Sequence, residues 1–226
     1  MQVYRRMDIG TAKPTAEEMD GIPHHMIDVA DPGEDFSAAR YVEMASACVD
    51  EILARGKLPI VAGGTGLYID SLLSGRTFAA FSPDSPLRGE LEAELARLGG
   101  AAMLAQLAQV DPETAARLHP NDHKRIVRAL ELFRSTGMTI SQHDRETRAL
   151  PLRYDALTLS LAFQRREDMW ARIDRRVDEM MAAGLAAEVR GLLSSGLPRT
   201  CTAMQAIGYK EFVAAVDGQI SWREAE

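Results

Sequence analysis

The chain has 226 residues, 46% hydrophobic and 26% charged, an ordinary balance for a globular protein with a sizeable core. A formal net charge of −7 excludes indiscriminate coating of nucleic acid while leaving room for a local basic face. No apolar run is long enough to span a membrane and no signal-peptide pattern opens the chain. Its two cysteines, Cys48 and Cys201, lack metal-like spacing, so a reduced cytoplasmic setting without a membrane partner is expected.

Taken in order, Met1 to Tyr4 read as the end of a strand already in progress, and residues 8–14 as a polar loop. Thr15 and Glu18 fit a capping box opening a short helix. Residues 23–29 fit a short strand, on which His24 and His25 point to opposite faces; one packed and one exposed histidine is expected, not a metal pair. Ser37 caps a helix to about residue 55, with Tyr41, Met44, Cys48, Ile52 and Leu53 as its apolar stripe and Gly56 as its stop. An apolar run at 58–62 then meets Gly63, Gly64, Thr65 and Gly66, and a helical pattern follows with Leu67, Ile69, Leu72 and Leu73. That order predicts a buried parallel strand passing into a helix, with Thr65 at the strand end where open α/β sheets bind ligands. A plain turn with a capping threonine reads equally well.

From about Phe81 the texture changes. Residues 82–86 read as a linker or helix cap, and helical patterns occupy 87–98, 101–110, 112–118 and 122–135. Residues 152–163 have strand propensity. A long helical region over 166–194 is interrupted near Gly184, a loop covers 200–210, and a helix covers 211–216. Residues 220–226 read as the opening turns of another helix.

Two basic clusters stand out. Lys124 and Arg128 are four apart, and Arg125 and Arg128 three apart, so on a helix they share a face while Ile126, Val127 and Leu130 turn to the core. Such a face suits a nucleic-acid backbone, or is simply solvated with Glu131 nearby. The second cluster is Arg165, Arg166, Arg172, Arg175 and Arg176. Arg172 and Arg176 share a face and suit phosphate, whereas Arg175 is expected to pair with Asp174 or Asp178. There is no Walker loop, metal-ligand spacing or nucleophile elbow. The residues alone therefore predict an α/β domain with a helical insertion, a strand-end anion pocket and two basic faces.

Several longer strings carry more. The run from Met1 through Asp8-Ile9-Gly10-Thr11-Ala12-Lys13-Pro14, His24-His25-Met26-Ile27-Asp28, and Gly63-Gly64-Thr65-Gly66-Leu67-Tyr68 resemble the tRNA dimethylallyltransferases (tRNA isopentenyltransferases). So do His119-Pro120-Asn121-Asp122 with the segment 124–131, Arg172 to Met180 with Gly184-Leu185, and Ala206-Ile207-Gly208-Tyr209-Lys210. The resemblance is collinear over essentially the whole chain.

It implies a P-loop-kinase-like parallel-sheet core with a helical insertion, divided as 1–80, 81–150 and 151–226. The implied activity is transfer of a dimethylallyl group from dimethylallyl diphosphate to N6 of the adenine next to the anticodon (position 37) in tRNA, with the chain as given expected to be an incomplete or inactive fragment of such an enzyme. Thr65 would sit in the reaction channel against the tRNA adenine. Met1, Gln2, Arg88, Lys124, Arg125, Ile126, Val127 and Arg128 would contact tRNA, as would Gln205, Ala206, Ile207, Gly208, Tyr209 and Lys210. Arg172 and Arg176 would bind the diphosphate. Partners would be the tRNA anticodon stem-loop and dimethylallyl diphosphate, with the protein a monomer. The family's P-loop, its general-base aspartate and the ligands of its Mg2+ are expected upstream of Met1, so the sequence is read as an N-terminally truncated α/β fragment that also lacks a basic C-terminal segment. A non-catalytic RNA-binding remnant, or a P-loop kinase relative acting on a small molecule, are the alternatives.

Overall fold

The computed structural model describes residues 1–75, 78 and 85–225. Among them the chain forms eleven α-helices. In order these are α1 (Ala38–Ala54), α2 (Gly66–Ser74), α3 (Pro86–Leu98), α4 (Gly100–Val110), α5 (Pro112–Ala115) and α6 (His123–Thr136). They continue with α7 (Ile140–Arg148), α8 (Arg166–Ala183), α9 (Leu185–Ser194), α10 (Lys210–Val216) and α11 (Trp222–Ala225), and a 3-10 turn (Ala203–Gln205) precedes α10. The chain divides into two compact units, Met1–Ala62 with Leu157–Glu226, and Gly63–Ala156.

The first unit is organised around the start of the chain. Tyr4 and Ala30 form an isolated parallel bridge, flanked by Val29 N–H to the Val3 carbonyl at 2.9 Å and Arg5 N–H to the Ala30 carbonyl at 2.9 Å. Tyr4 meets Phe36 edge-on, with ring centroids 6.4 Å apart. Ser37 caps α1 as its sequence predicts, accepting from Arg40 N–H at 3.2 Å. The buried face of α1 is set by Val42, Ala45, Ser46 and Val49. Tyr41, Met44, Cys48 and Ile52 flank that face, and Leu53 is exposed, so the expected stripe is displaced by about one position. Gly184 separates α8 from α9 at φ +103, a left-handed conformation that L side chains disfavour.

Three local expectations need correction. The Thr15–Glu18 capping box is present, with Thr15 N–H donating to Glu18 at 2.8 Å and Glu18 N–H to Thr15 Oγ1 at 3.2 Å, but it closes a series of turns rather than a helix. His24 and His25 are both exposed. Most consequentially, neither 58–62 nor 152–163 is a strand among the described residues. An apolar run becomes a strand only when a neighbouring strand takes its backbone N–H and C=O groups. Here Leu58 and Ile60 are each 83% exposed and Leu161 is fully exposed, with no partner alongside. Among the described residues the expected parallel sheet is thus represented by the Tyr4–Ala30 bridge alone.

The second unit is a helical bundle built as its periodicity predicts. Leu91 of α3, Met103 and Leu107 of α4, and Ile126, Val127 and Leu130 of α6 share one buried core. Residues 81–84, where a change of texture and a linker are predicted, lie outside the described residues; Ser85 caps α3, accepting from Arg88 N–H at 3.2 Å. Asp111 ties this unit together. Its Oδ1 accepts from Thr114 N–H at 3.1 Å, capping α5, and its Oδ2 accepts from Ser141 N–H at 3.0 Å in α7.

Burial of Asp111 opposes its charge, but those donors outweigh burial and hold its pKa below the ordinary 3.8. A depressed native pKa means the unfolded state takes up the proton first, so this contribution is complete above pH 3.8 and fades as pH falls through the lower native value. The protection factors of the α5 and α7 amides are therefore expected to fall on acidification below that pH. Asp111→Asn should lose this acid limb, and an identical pH profile in the variant would refute the assignment.

Candidate functional site

In the helical unit, α6 carries Lys124, Arg125 and Arg128 near its N-terminus. Its other face supplies Ile126 and Val127, whose side chains are buried in the core and offer no surface to a ligand. Lys124 and Arg125 are exposed and make no ion pair among the described residues. Arg128 and Arg88 converge on one carboxylate. Glu131, 1% exposed, accepts from Arg88 Nη1 at 3.3 Å, from Arg128 Nη1 at 3.3 Å and from Ser85 Oγ at 3.1 Å. Two residues 40 positions apart, both implied to contact tRNA, are thus fixed side by side by a buried anion whose role the sequence did not reveal. A carboxylate in an otherwise apolar register of α6 was the available signal, since such a group is rarely buried unpaired.

Thr65 is the N-cap position of α2, but its side chain makes no capping hydrogen bond and is exposed. The hydroxyl is therefore available to a ligand. A methyl group added at Gly63, Gly64 or Gly66 would meet nothing within 4 Å among the described residues, so the backbone around Thr65 is uncrowded there.

In the first unit, Arg172 and Arg176 lie one turn apart on α8, exposed and without an ion pair among the described residues. Arg175 likewise has no such pair, contrary to expectation. On an exposed helix, pairing two long side chains costs about as much rotamer entropy as the screened attraction returns. Arg165 instead pairs with Glu167 at 3.6 Å, and the Arg166 guanidinium lies 4.9 Å from the Trp170 ring centroid.

The segment 205–210 divides between surface and core. Gln205, Ile207 and Lys210 are exposed, while Ala206 and Tyr209 are buried, which removes the last two as side-chain contacts to RNA. Gly208 sits between them at φ +86. Tyr209 is instead part of a clamp. Glu188 of α9 accepts from Asp8 N–H and Ile9 N–H at 2.8 Å each, from Gly10 N–H at 3.1 Å and from the Tyr209 hydroxyl at 2.5 Å. Burial, and then the Glu188 charge, push the Tyr209 phenol well above its ordinary pKa, so it remains a donor.

The clamped loop holds Gln2, whose Nε2 donates to the Thr11 carbonyl at 3.1 Å and the Ala12 carbonyl at 2.8 Å, while Met1 is exposed. Lys13 closes the loop on Asp8, Asp28 and the Tyr4 carbonyl. Burial opposes its charge, yet the Asp28 and Asp8 hydrogen bonds prevail and raise its pKa.

Lys124 and Arg125 on α6 in one unit, and Arg172 and Arg176 on α8 in the other, thus form two exposed cationic faces without ion pairs among the described residues. A model of the IPP transferase family matches residues 2–226, and the chain belongs to that family. It is 49% identical over 224 residues to "tRNA dimethylallyltransferase 1" of Trichlorobacter lovleyi, covering 99% of this chain and 73% of that protein. The crystal structure of a full-length tRNA isopentenylpyrophosphate transferase from Bacillus halodurans superposes with a TM-score of 0.67 at 42% identity, covering 99% of this chain and 69% of that one. A eukaryotic dimethylallyltransferase described as acting on tRNA superposes with a TM-score of 0.79 at 29% identity, covering all of this chain and 58% of that one. No helix among the described residues is long and apolar enough to cross a membrane.

Proposed function

We propose that the chain transfers a dimethylallyl group from dimethylallyl diphosphate to N6 of an adenine beside the anticodon of tRNA. Family membership over residues 2–226 is the observation that carries this reading. The parallel-sheet, P-loop-kinase-like core belongs to the proposal and is supported by the Tyr4–Ala30 bridge and by the superposition on the two solved transferase structures.

In this reading the carbon–oxygen bond to diphosphate breaks, a carbon–nitrogen bond to N6 forms, and N6 gives up a proton to a base. Arg172 and Arg176 neutralise the charge that builds on the leaving diphosphate. Thr65 orients the exocyclic amine, which must leave the base stack to be reached. Lys124, Arg125, Arg128 and Arg88 hold the RNA backbone, with Gln205, Ile207 and Lys210 presented as a second strip. Magnesium would screen the diphosphate when bound. No three His, Cys, Asp or Glu side chains converge to hold a metal among the described residues, so no step here is routed through it.

The test is nucleoside analysis of tRNA after incubation with the protein, dimethylallyl diphosphate and Mg2+. Prenylated adenosine supports the reading; RNA that binds at saturation yet stays unmodified overturns it. Arg128→Ala should weaken binding and flatten its salt dependence by about one unit in log–log slope. Thr65→Ala should lower turnover with binding intact.

A further inference from the structure

A cleft of about 540 Å³ opens in the helical unit between the end of α5, the first turns of α6 and the start of α7. Its floor is apolar, made by Leu118, Ala129 and Ile140, and its rim is cationic, made by Arg117, Lys124, Arg125 and Arg128. The one carboxylate on its lining, Asp144, stands 4.0 Å from Arg117, whose Nη2 also donates to Thr114 Oγ1 at 3.3 Å. A basic helix face that served only to track a phosphate backbone would need no concavity and no apolar floor. Volumes of a few hundred Å³ with an apolar lining and a few convergent polar groups are those of small-ligand sites.

Resting on the reading that this unit grips RNA, we propose that the cleft takes one unstacked nucleotide of the bound RNA. Its base lies on Leu118, Ala129 and Ile140, and its phosphate is held by Arg117 together with Arg125. The chemistry favours this occupant. An unstacked base needs a surface that replaces its lost stacking, and a phosphodiester needs a planar, permanently charged donor. Arg117 is held across the cleft by Asp144 and Thr114, so it meets the phosphate already oriented. Its long, weak ion pair with Asp144 can yield to the stronger charge-assisted bond.

Two substitutions separate the halves of the site, and circular dichroism verifies folding of each. Binding of an anticodon stem-loop RNA to the full chain is followed by fluorescence anisotropy across a range of salt. Arg117→Ala is expected to weaken binding roughly tenfold and to lower the log–log salt slope by about one, because one phosphate contact is lost. Leu118→Trp, which fills the floor without changing charge, is expected to weaken binding several-fold at an unchanged slope. Wild-type affinity in both variants overturns the proposal. So does a loss confined to Arg117→Ala, which would leave only a phosphate contact on the rim. Failure of the unsubstituted chain to bind the stem-loop would instead overturn the RNA-gripping reading on which the proposal rests.

Discussion

Glu188→Ala is expected to lower the stability of the first unit by about 2–4 kcal/mol. Three backbone N–H groups and one phenol donate to that single carboxylate, and hydrogen bonds to a charged acceptor contribute about 1.5–3 kcal/mol each before water takes up the slack. Glu188 is only half-buried, so water does take up part of it, and the sum is well below four full bonds. Tyr209→Phe removes one of the four and should cost about 1–2 kcal/mol. Its phenol is held protonated in the fold above its ordinary value of 10.0, so its contribution is present below that pH and is lost as pH rises beyond it. The phenylalanine variant should lose that alkaline limb.

The same clamp makes Gly10 obligatory for a steric reason. A Cβ there would lie 2.6 Å from the Tyr209 ring, so Gly10→Ala must displace either loop or ring. Both tryptophans, Trp170 and Trp222, belong to this unit, so their fluorescence on urea titration reports it selectively. A Glu188→Ala midpoint equal to wild type would show that the clamp is decorative. Because the loop so held also carries Gln2, an intact midpoint with weakened RNA binding would point to Gln2 itself.

The contrast between what could and could not be read from the sequence follows from the range of the forces involved. α1, α3, α4, α6 and the break between α8 and α9 were legible because helix period, caps and left-handed glycines act within a few residues. α7 escaped notice because Ile140–Arg148 is almost wholly polar and has no apolar period; the Thr139–Gln142 capping box was its only local signal. Strands at 58–62 and 152–163 were over-read because strand propensity describes fitness for a pleated surface, and pairing is a property of the neighbour. The organising roles of Glu131, Asp111 and Glu188 were harder to read because, beyond any local partner, each reaches a group 43, 30 or 180 residues away. The basic residues themselves were legible, and what the fold adds is which of them a buried anion holds still.

Glu131→Gln should reveal that holding directly. Electrostatics alone says that removing an anion behind an RNA-binding face tightens binding, by about 0.5 kcal/mol for a charge some 8 Å away in a watery dielectric. Positioning says the reverse. Glu131 anchors both Arg88, which also pairs with Glu92 at 3.2 Å, and Arg128; with that anchor weakened, each side chain gains rotamer freedom that RNA must remove again, at up to about 0.5–1.5 kcal/mol per side chain. The second effect is the larger, so affinity is expected to fall several-fold. The salt slope should stay unchanged, because the number of phosphates neutralised is the same. That pattern differs from Arg128→Ala, which should lose affinity and slope together. Stability should fall as well, by about 2–3 kcal/mol, since Ser85 and two half-exposed guanidinium groups lose a buried charged acceptor. Tighter RNA binding by the glutamine variant, with the fold intact by circular dichroism, would show that Glu131 acts as a counter-charge and not as an anchor.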